Sequence, residues 1–175
     1  MTGSTPPLEL RLLTGDPEEI RALQRVLEAA PRYFEITTGG PPGPAEAHTT
    51  FIGLPPGKSF EEKFLYGVHR DGRMIGCVDV IRGYPVREKA VIGLALIEES
   101  MQRQGIGRKT TSLTEREIAS WPEITTLRIG VLRGNADAMA FWRRMGFVET
   151  GEIKSAGPSF VSDVVILERP LFRAP

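Results

Sequence analysis

The stretch Leu8-Glu9-Leu10-Arg11-Leu12-Leu13 alternates apolar and polar positions and predicts a first strand. Asp16-Pro17-Glu18-Glu19 follows as a helix start: the aspartate can cap, the proline suits the first turn, and the acids favour its positive end. Ile20, Leu23, Val26 and Leu27 then recur at helical spacing, and Pro31 is expected to end that helix. Residues 39–57 carry Gly39-Gly40-Pro41-Pro42-Gly43-Pro44 and Pro55-Pro56-Gly57. A packed linker between domains is one reading and a long loop over an active site the other; too little chain precedes the segment for a separate domain, which favours the loop. Residues 63–70 and 73–81 form two strand-like runs joined by Asp71-Gly72, a dipeptide suited to a tight hairpin. Residues 91–97 are apolar on both alternating faces, as in a central strand covered on each side. A helix over 105–120 stopped at Trp121-Pro122, a strand over 127–132, a helix over 136–145 closed by Gly146 and a last strand over 160–167 complete the pattern. Hairpins early and strand–helix alternation later, with no internal repeat, predict a single α/β or α+β domain over residues 1–175.

Composition narrows the function classes. Hydrophobic residues make up 41% and charged residues 25%, which suits an ordinary globular chain. The 22 Lys+Arg balance 22 Asp+Glu, leaving no long-range attraction for nucleic acid or an anionic membrane. The longest apolar run, 91–97, is far too short to span a bilayer, and residues 1–10 show no secretory signal. With Cys77 the only cysteine, an intrachain disulfide and a thiolate-rich zinc site are both excluded. His48 and His69 match no metal-ligand spacing, so no metal is expected. A reduced, cytoplasmic protein is the expectation.

The strongest chemical feature is Gln102-Arg103-Gln104-Gly105-Ile106-Gly107-Arg108, placed after the most apolar strand and before a helix. Backbone N–H groups at such a turn lack intrahelical partners, and the helix dipole adds positive potential there. Two glycines let a ligand approach the main chain, as a phosphate or pyrophosphate requires. Two familiar phosphate loops fail: the dinucleotide fingerprint needs glycine where Thr110 stands, and a triphosphate loop ending at Gly57-Lys58-Ser59 needs glycine where Ile52 stands. A second segment, from Asn135 to Phe147, reads as an Asn-capped helix with an apolar stripe at Ala138, Phe141, Trp142 and Met145.

Together the two segments resemble the GNAT superfamily of acetyl-CoA-dependent N-acetyltransferases. That family's [Q/R]-x-x-G-x-[G/A] motif is met from Gln102 to Gly107, and Asn135, Ala138, Phe141, Gly146 and Phe147 fit its later signature. The resemblance covers about residues 61–169. It implies a mixed, mostly antiparallel sheet of about seven strands flanked by about four helices, splayed between the fourth and fifth strands. It further implies acetyl-CoA as co-substrate, its pantetheine arm paired with backbone near Leu96 and Ile97. Main-chain donors of Arg103, Gln104, Gly105, Ile106, Gly107 and Arg108 would hold the pyrophosphate, with Gln102 opening the motif. Asn135 would contact pantetheine, Phe141 and Trp142 would flank the thioester, and Arg103, Arg108 or Lys109 would meet the 3′-phosphate.

The chain departs from the family where protons move. An alkyl amine of pKa ~10.4 is about 0.1% neutral near neutral pH, equivalent to ~4 kcal/mol of barrier, so a base is valuable. The family's usual glutamate positions hold Val91 and Gly130, and its acidic tyrosine is Trp142. Glu98, Asp79, Tyr84 and Tyr33 are the candidate substitutes, each of which also has an ordinary structural role open to it. Cys77 reads as a small core residue and not as an acyl carrier, and His48 as a loop residue beside Glu46. The leading expectation is acetyl transfer to a primary amine of a small molecule by direct attack in a ternary complex. A protein or peptide amine, or a catalytically silent acyl-CoA-binding module, are the alternatives. Residues 31–60 and 155–159 would select the acceptor, and the resemblance allows a homodimer.

Overall fold

The computed structural model describes residues 7–173. A seven-stranded sheet runs in the order β1-β2-β3-β4-β5-β7-β6. The strands are β1 (Glu9–Leu12), β2 (Lys63–Arg70), β3 (Arg73–Arg82), β4 (Lys89–Ile97), β5 (Thr126–Leu132), β6 (Val148–Lys154) and β7 (Val164–Pro170). The helices are α1 (Pro17–Glu28), α2 (Pro31–Thr38), α3 (Glu46–Ile52), α4 (Ile106–Ala119) and α5 (Ala136–Arg144), one more than the four expected. None of the described helices is long and apolar enough to cross a membrane.

Local chemistry accounts for most boundaries. The Asp16 carboxylate accepts the Glu18 N–H at 2.8 Å, and Glu19 Oε2 accepts the N-cap Asp16 N–H at 3.3 Å, closing the α1 capping box, and also the Thr14 and Gly15 N–H groups at 2.8 and 3.1 Å. Leu23 and Leu27 are fully buried beneath α1, each contributing roughly 1.5–3 kcal/mol of burial. Asp71 at φ 53° and Gly72 at φ 76° make the β2–β3 turn, both in the left-handed region that such a hairpin requires.

Three expectations are corrected. Pro31 does not end α1, which stops at Glu28; it occupies the first turn of α2, where a missing N–H costs nothing. The Gly/Pro-rich stretch 39–57 is no continuous loop. Its glycines and prolines bracket α3, which docks on α1 through Gln24: the amide donates to Gly43 O and accepts from the Ala47 N–H, both at 2.9 Å. The last strand begins at Val164, not at 160, because Phe160 and Val161 lie exposed in the connection that precedes it. The fully exposed strand β6 is one that the apolar pattern does not predict.

Side chains alternate across the sheet into two cores. One face carries Ala90, Ile92, Leu127, Ile129 and Leu167 and packs against Ile118, Trp142 and Phe147 of the α4–α5 side. The other carries Leu65, Cys77 and Leu96 and packs against Leu23, Leu27 and Phe34 of α1 and α2.

Candidate active site

The parallel strands β4 and β5 pair only from Lys89↔Thr126 to Ile92↔Ile129. Beyond Ile92 they part, while β4 stays paired with β3 through Ile97↔Gly76. A register shift lies at the same level: Asp79 faces Leu94 and Val80 faces Ile92, leaving Gly93 as the extra residue of a bulge. The result is a V-shaped opening whose exposed walls include Gly93, Ala95 and Gly130. Gly76 keeps the outer wall tight, since a Cβ there would meet Leu96 O at 2.5 Å.

The chain leaves β4 through Glu98 and a short 3-10 turn, then enters α4 at Gly105. Arg103 at φ 60° and Gly105 at φ 75° twist the main chain so that successive amides face outward. None of the backbone N–H groups of residues 103–108 donates to a protein acceptor among the described residues. The space over Gly105 is open, with no atom within 4 Å of a Cβ position. Gly107 packs on α5, where a Cβ would lie 3.4 Å from Phe141 Cε2. Arg103, Arg108 and Lys109 stand exposed around the turn without a salt-bridge partner among the described residues. Orphaned donors, a helix N-terminus and free cations suit a diphosphate.

Side chains lock the turn in place. Gln102 Nε2 donates to Ile97 O at 2.8 Å, and Gln104 Nε2 to Ser100 O at 3.3 Å. Glu99 accepts the Arg32 N–H at 2.7 Å and donates its own N–H to Ala29 O at 3.0 Å, tying the turn to the α1–α2 junction. Across the mouth, Arg32 and Asp137 pair at 3.3 Å between α2 and α5. Leu96 is buried in the α1–α2 core, and Ile97 packs toward the other. The Asn135 amide oxygen caps α5 by accepting the Ala138 N–H at 3.1 Å. Phe141 is half-buried and meets Trp142 edge-on at 5.0 Å; Trp142, buried, meets Phe147 edge-on at 5.2 Å. The indole therefore sits in the core under Phe141.

The candidate proton carriers differ sharply. Glu98 is only 2% exposed and both its oxygens are held by Arg73, each at 2.7 Å, with Ser100 Oγ donating at 3.2 Å. Asp79 accepts Lys63 Nζ at 2.8 and 2.7 Å. Burial raises the Asp79 carboxyl above the ordinary range, and the Lys63 ammonium offsets this only in part. Burial pushes the Tyr33 hydroxyl up to about 12. Burial likewise pushes the Cys77 thiol up to about 12, which removes it as a nucleophile. The Lys154 ammonium lies 6.0 Å from the Tyr84 ring centroid. His48 is exposed on α3, and His69 Nδ1 lies 3.1 Å from Gly67 O, away from the opening. Gly130 admits no replacement carboxylate, because a Cβ would meet Val164 Cγ1 at 2.7 Å. The Lys63–Asp79 pair was the feature least visible in the sequence. Counting outward from the Asp71-Gly72 turn reaches it only once a register shift is allowed for, since Lys63↔Ile81 and Leu65↔Asp79 make the two residues diagonal neighbours.

The profile of the Acetyltransferase (GNAT) family matches residues 23–147. The chain belongs to this family. An acetyltransferase from Thermus thermophilus shares 25% identity, covers 96% of this chain and 100% of its own, and superposes with a TM-score of 0.68. An acetyltransferase of Salmonella typhimurium that modifies the N-terminal serine of ribosomal protein L7/L12 has a TM-score of 0.74 at 21% identity, with 97% of each chain covered. The aminoglycoside acetyltransferase AAC(6')-Ib in complex with coenzyme A has a TM-score of 0.72 at 18% identity, covering 94% of this chain and 95% of its own. No curated protein sequence matches. Membership of the GNAT family implies acetyl-CoA as co-substrate.

Proposed function

We propose that the protein transfers the acetyl group of acetyl-CoA to a primary amine of a small molecule, by direct attack within a ternary complex. The observation that carries this reading is the run of unpartnered N–H groups over residues 103–108 at the mouth of the β4–β5 opening. Each hydrogen bond to a charged phosphate oxygen contributes ~1.5–3 kcal/mol, so a few suffice to anchor the coenzyme. The unpaired edges of β4 and β5 beyond Ile92 would receive the pantetheine arm near Leu96 and Ile97. Asn135 and Phe141 would flank it, and Trp142 would act through Phe141, which it supports. The amine nitrogen attacks the acetyl carbonyl carbon, the C–S bond breaks, and the electron pair leaves on sulfur, a tolerable leaving group at a thiol pKa of ~8.5.

A small acceptor is favoured by the connection between β6 and β7. The Val161 N–H donates to Thr37 O at 3.0 Å, and Val161 Cγ1 sits 3.3 Å from a Cβ position on Gly39, so this segment is strapped to the end of α2. Such a strap narrows the route an extended peptide would need.

Thermal unfolding with and without acetyl-CoA is the first test. Saturation at 100 times Kd adds ~2.7 kcal/mol, about 5–10 °C for a chain of this size. Millimolar acetyl-CoA without a shift would overturn the reading. Thiol release across a panel of small amines and peptides then separates the acceptors. Binding with no transfer to any amine would make the protein a silent acyl-CoA-binding module.

A further inference from the structure

We infer that Asp79, held by Lys63 on β2 and β3, is the general base that deprotonates the acceptor amine across Gly93. The inference rests on the acetyltransferase reading above and assigns its missing proton acceptor.

Position comes first. Asp79 lies on β3 at the register shift where β4 leaves β5, so its carboxylate stands at the start of the opening. A Cβ on Gly93, an exposed residue, would be 3.7 Å from Asp79 Oδ2, so the glycine leaves that side of the carboxylate without a side chain of its own. Any larger residue at 93 would screen it. Asp79 shares its sheet face with the neutral thiol of Cys77 and with the Lys63 ammonium. Farther along the same face, Lys89, Arg128, Glu152 and Glu168 are paired among themselves and hold no hydrogen bond to Asp79.

The rivals fail on geometry. Glu98 is shut away, its side chain 2% exposed against 15% for Asp79; Val91 has no ionisable group, and Gly130 cannot carry one beside Val164. Asp79 also has the right strength. Burial makes it a better base than a solvated aspartate, while Lys63 keeps it ionised until a proton arrives.

The protons balance. An alkylammonium gives one proton to Asp79 and becomes the free amine. Its nitrogen forms the C–N bond as the C–S bond breaks. The second nitrogen proton passes to the departing sulfur, giving the free thiol, and Asp79 releases its proton to water.

Two probes small enough for any acceptor cleft test the assignment: methylamine, almost wholly protonated at neutral pH, and hydroxylamine, largely unprotonated. Thiol release from acetyl-CoA is followed for the wild type and Asp79→Asn, with the acetyl-CoA thermal shift as the check on fold and cofactor binding. Asp79→Asn should lose roughly a hundredfold or more with methylamine, less than tenfold with hydroxylamine, and keep the thermal shift. Lys63→Met should move the acidic limb of the methylamine rate to higher pH, because it removes the charge that lowers Asp79. If Asp79→Asn fails to fold, the double variant Asp79→Asn/Lys63→Met removes both buried charges and gives the same readout. Equal losses with both amines, or no loss with either, would overturn the base assignment while leaving acetyl transfer intact. A wild type that shows the thermal shift but releases thiol with neither probe, nor with any amine or peptide of the panel, overturns both the base and the transferase reading. A wild type without the shift overturns the acetyl-CoA site itself.

Discussion

The two ends of the β4–β5 opening are built from different materials. At the cofactor end the functional groups are main-chain amides of consecutive residues, 103–108, aimed by two left-handed residues and a helix start. At the proposed acceptor end it is a side-chain pair that comes together only through the sheet, Lys63 with Asp79; Lys89, Arg128, Glu152 and Glu168 form a second cluster beside the paired stretch of β4 and β5. Amide chemistry depends on backbone shape, which tolerates almost any side chain except where glycine is required. Carboxylate chemistry depends on burial and on one partner, so a single substitution removes it. On the proposed assignment, the same fold keeps its coenzyme site and relocates its base to a neighbouring strand.

The largest effect is expected where the α5 motif serves the fold. Trp142 is 8% exposed and sits between Phe141 and Phe147, so Trp142→Ala should cost ~3–5 kcal/mol of stability, read from urea unfolding. Trp142→Phe should cost far less and leave thiol release within tenfold of the wild type. A fall of several orders of magnitude with intact stability would place the indole in the chemistry and blur the division between packing and catalysis.

The ion cluster around Glu168 should be sensitive to acid while the amide turn is not. Burial alone would raise Glu168, but hydrogen bonds from Lys89 at 2.6 Å and Arg128 at 2.7 Å outweigh it and hold the carboxylate below its usual range. A lowered carboxylate pKa stabilises the fold above the unfolded value near ~4.3, and that contribution fades as pH falls through the folded value. Glu168→Gln should thus cost about 2 kcal/mol at pH 7, and the gap should close as pH drops below about 4. Acetyl-CoA affinity of the variant at pH 7 should match the wild type. A gap that persists in acid would mean that shape, not charge, makes Glu168 matter.

Gly105 tests the amide turn directly. Valine would add a β-branched side chain at φ 75°, a strain of ~1–3 kcal/mol that confounds binding with stability. Asparagine tolerates this region, so Gly105→Asn is the cleaner probe. Its side chain projects into the open space over the turn and should weaken acetyl-CoA binding about tenfold, ~1.4 kcal/mol, by calorimetry. Unchanged affinity would put the diphosphate elsewhere.

This contrast also decides what was legible in the sequence. The turn is a local object, so Gly105 and Gly107 after an apolar strand and before a helix announced it, as Asp71-Gly72 announced the hairpin. Helix α3 was hidden because glycines and prolines crowd both its ends, and it docks through residues distant in sequence, Ala47 in the core beside Leu23 and Leu27 and the Gln24 amide of α1. Strand β6 was hidden because every one of its residues is exposed, so the edge of the sheet left no apolar alternation to detect. The Lys63–Asp79 pair was hidden because a register shift, between Val68 and His69, intervenes between the turn and the pair. What depends on neighbours in sequence could be read; what depends on neighbours in the sheet had to be seen.

The smallest effect is the sharpest discriminator. Gln104 is exposed within the turn, and its side chain makes one long hydrogen bond, Nε2 to Ser100 O at 3.3 Å. If the main chain alone grasps the diphosphate, Gln104→Ala removes nothing that touches phosphate and leaves the residue's N–H in place. Acetyl-CoA affinity should then change by less than twofold, below ~0.4 kcal/mol, in the calorimetric titration used for Gly105→Asn. A tenfold loss would show that a side chain shares the diphosphate. The cofactor end would then be as exposed to single substitutions as the acceptor end, and the freedom to move the base without disturbing the coenzyme would need another explanation.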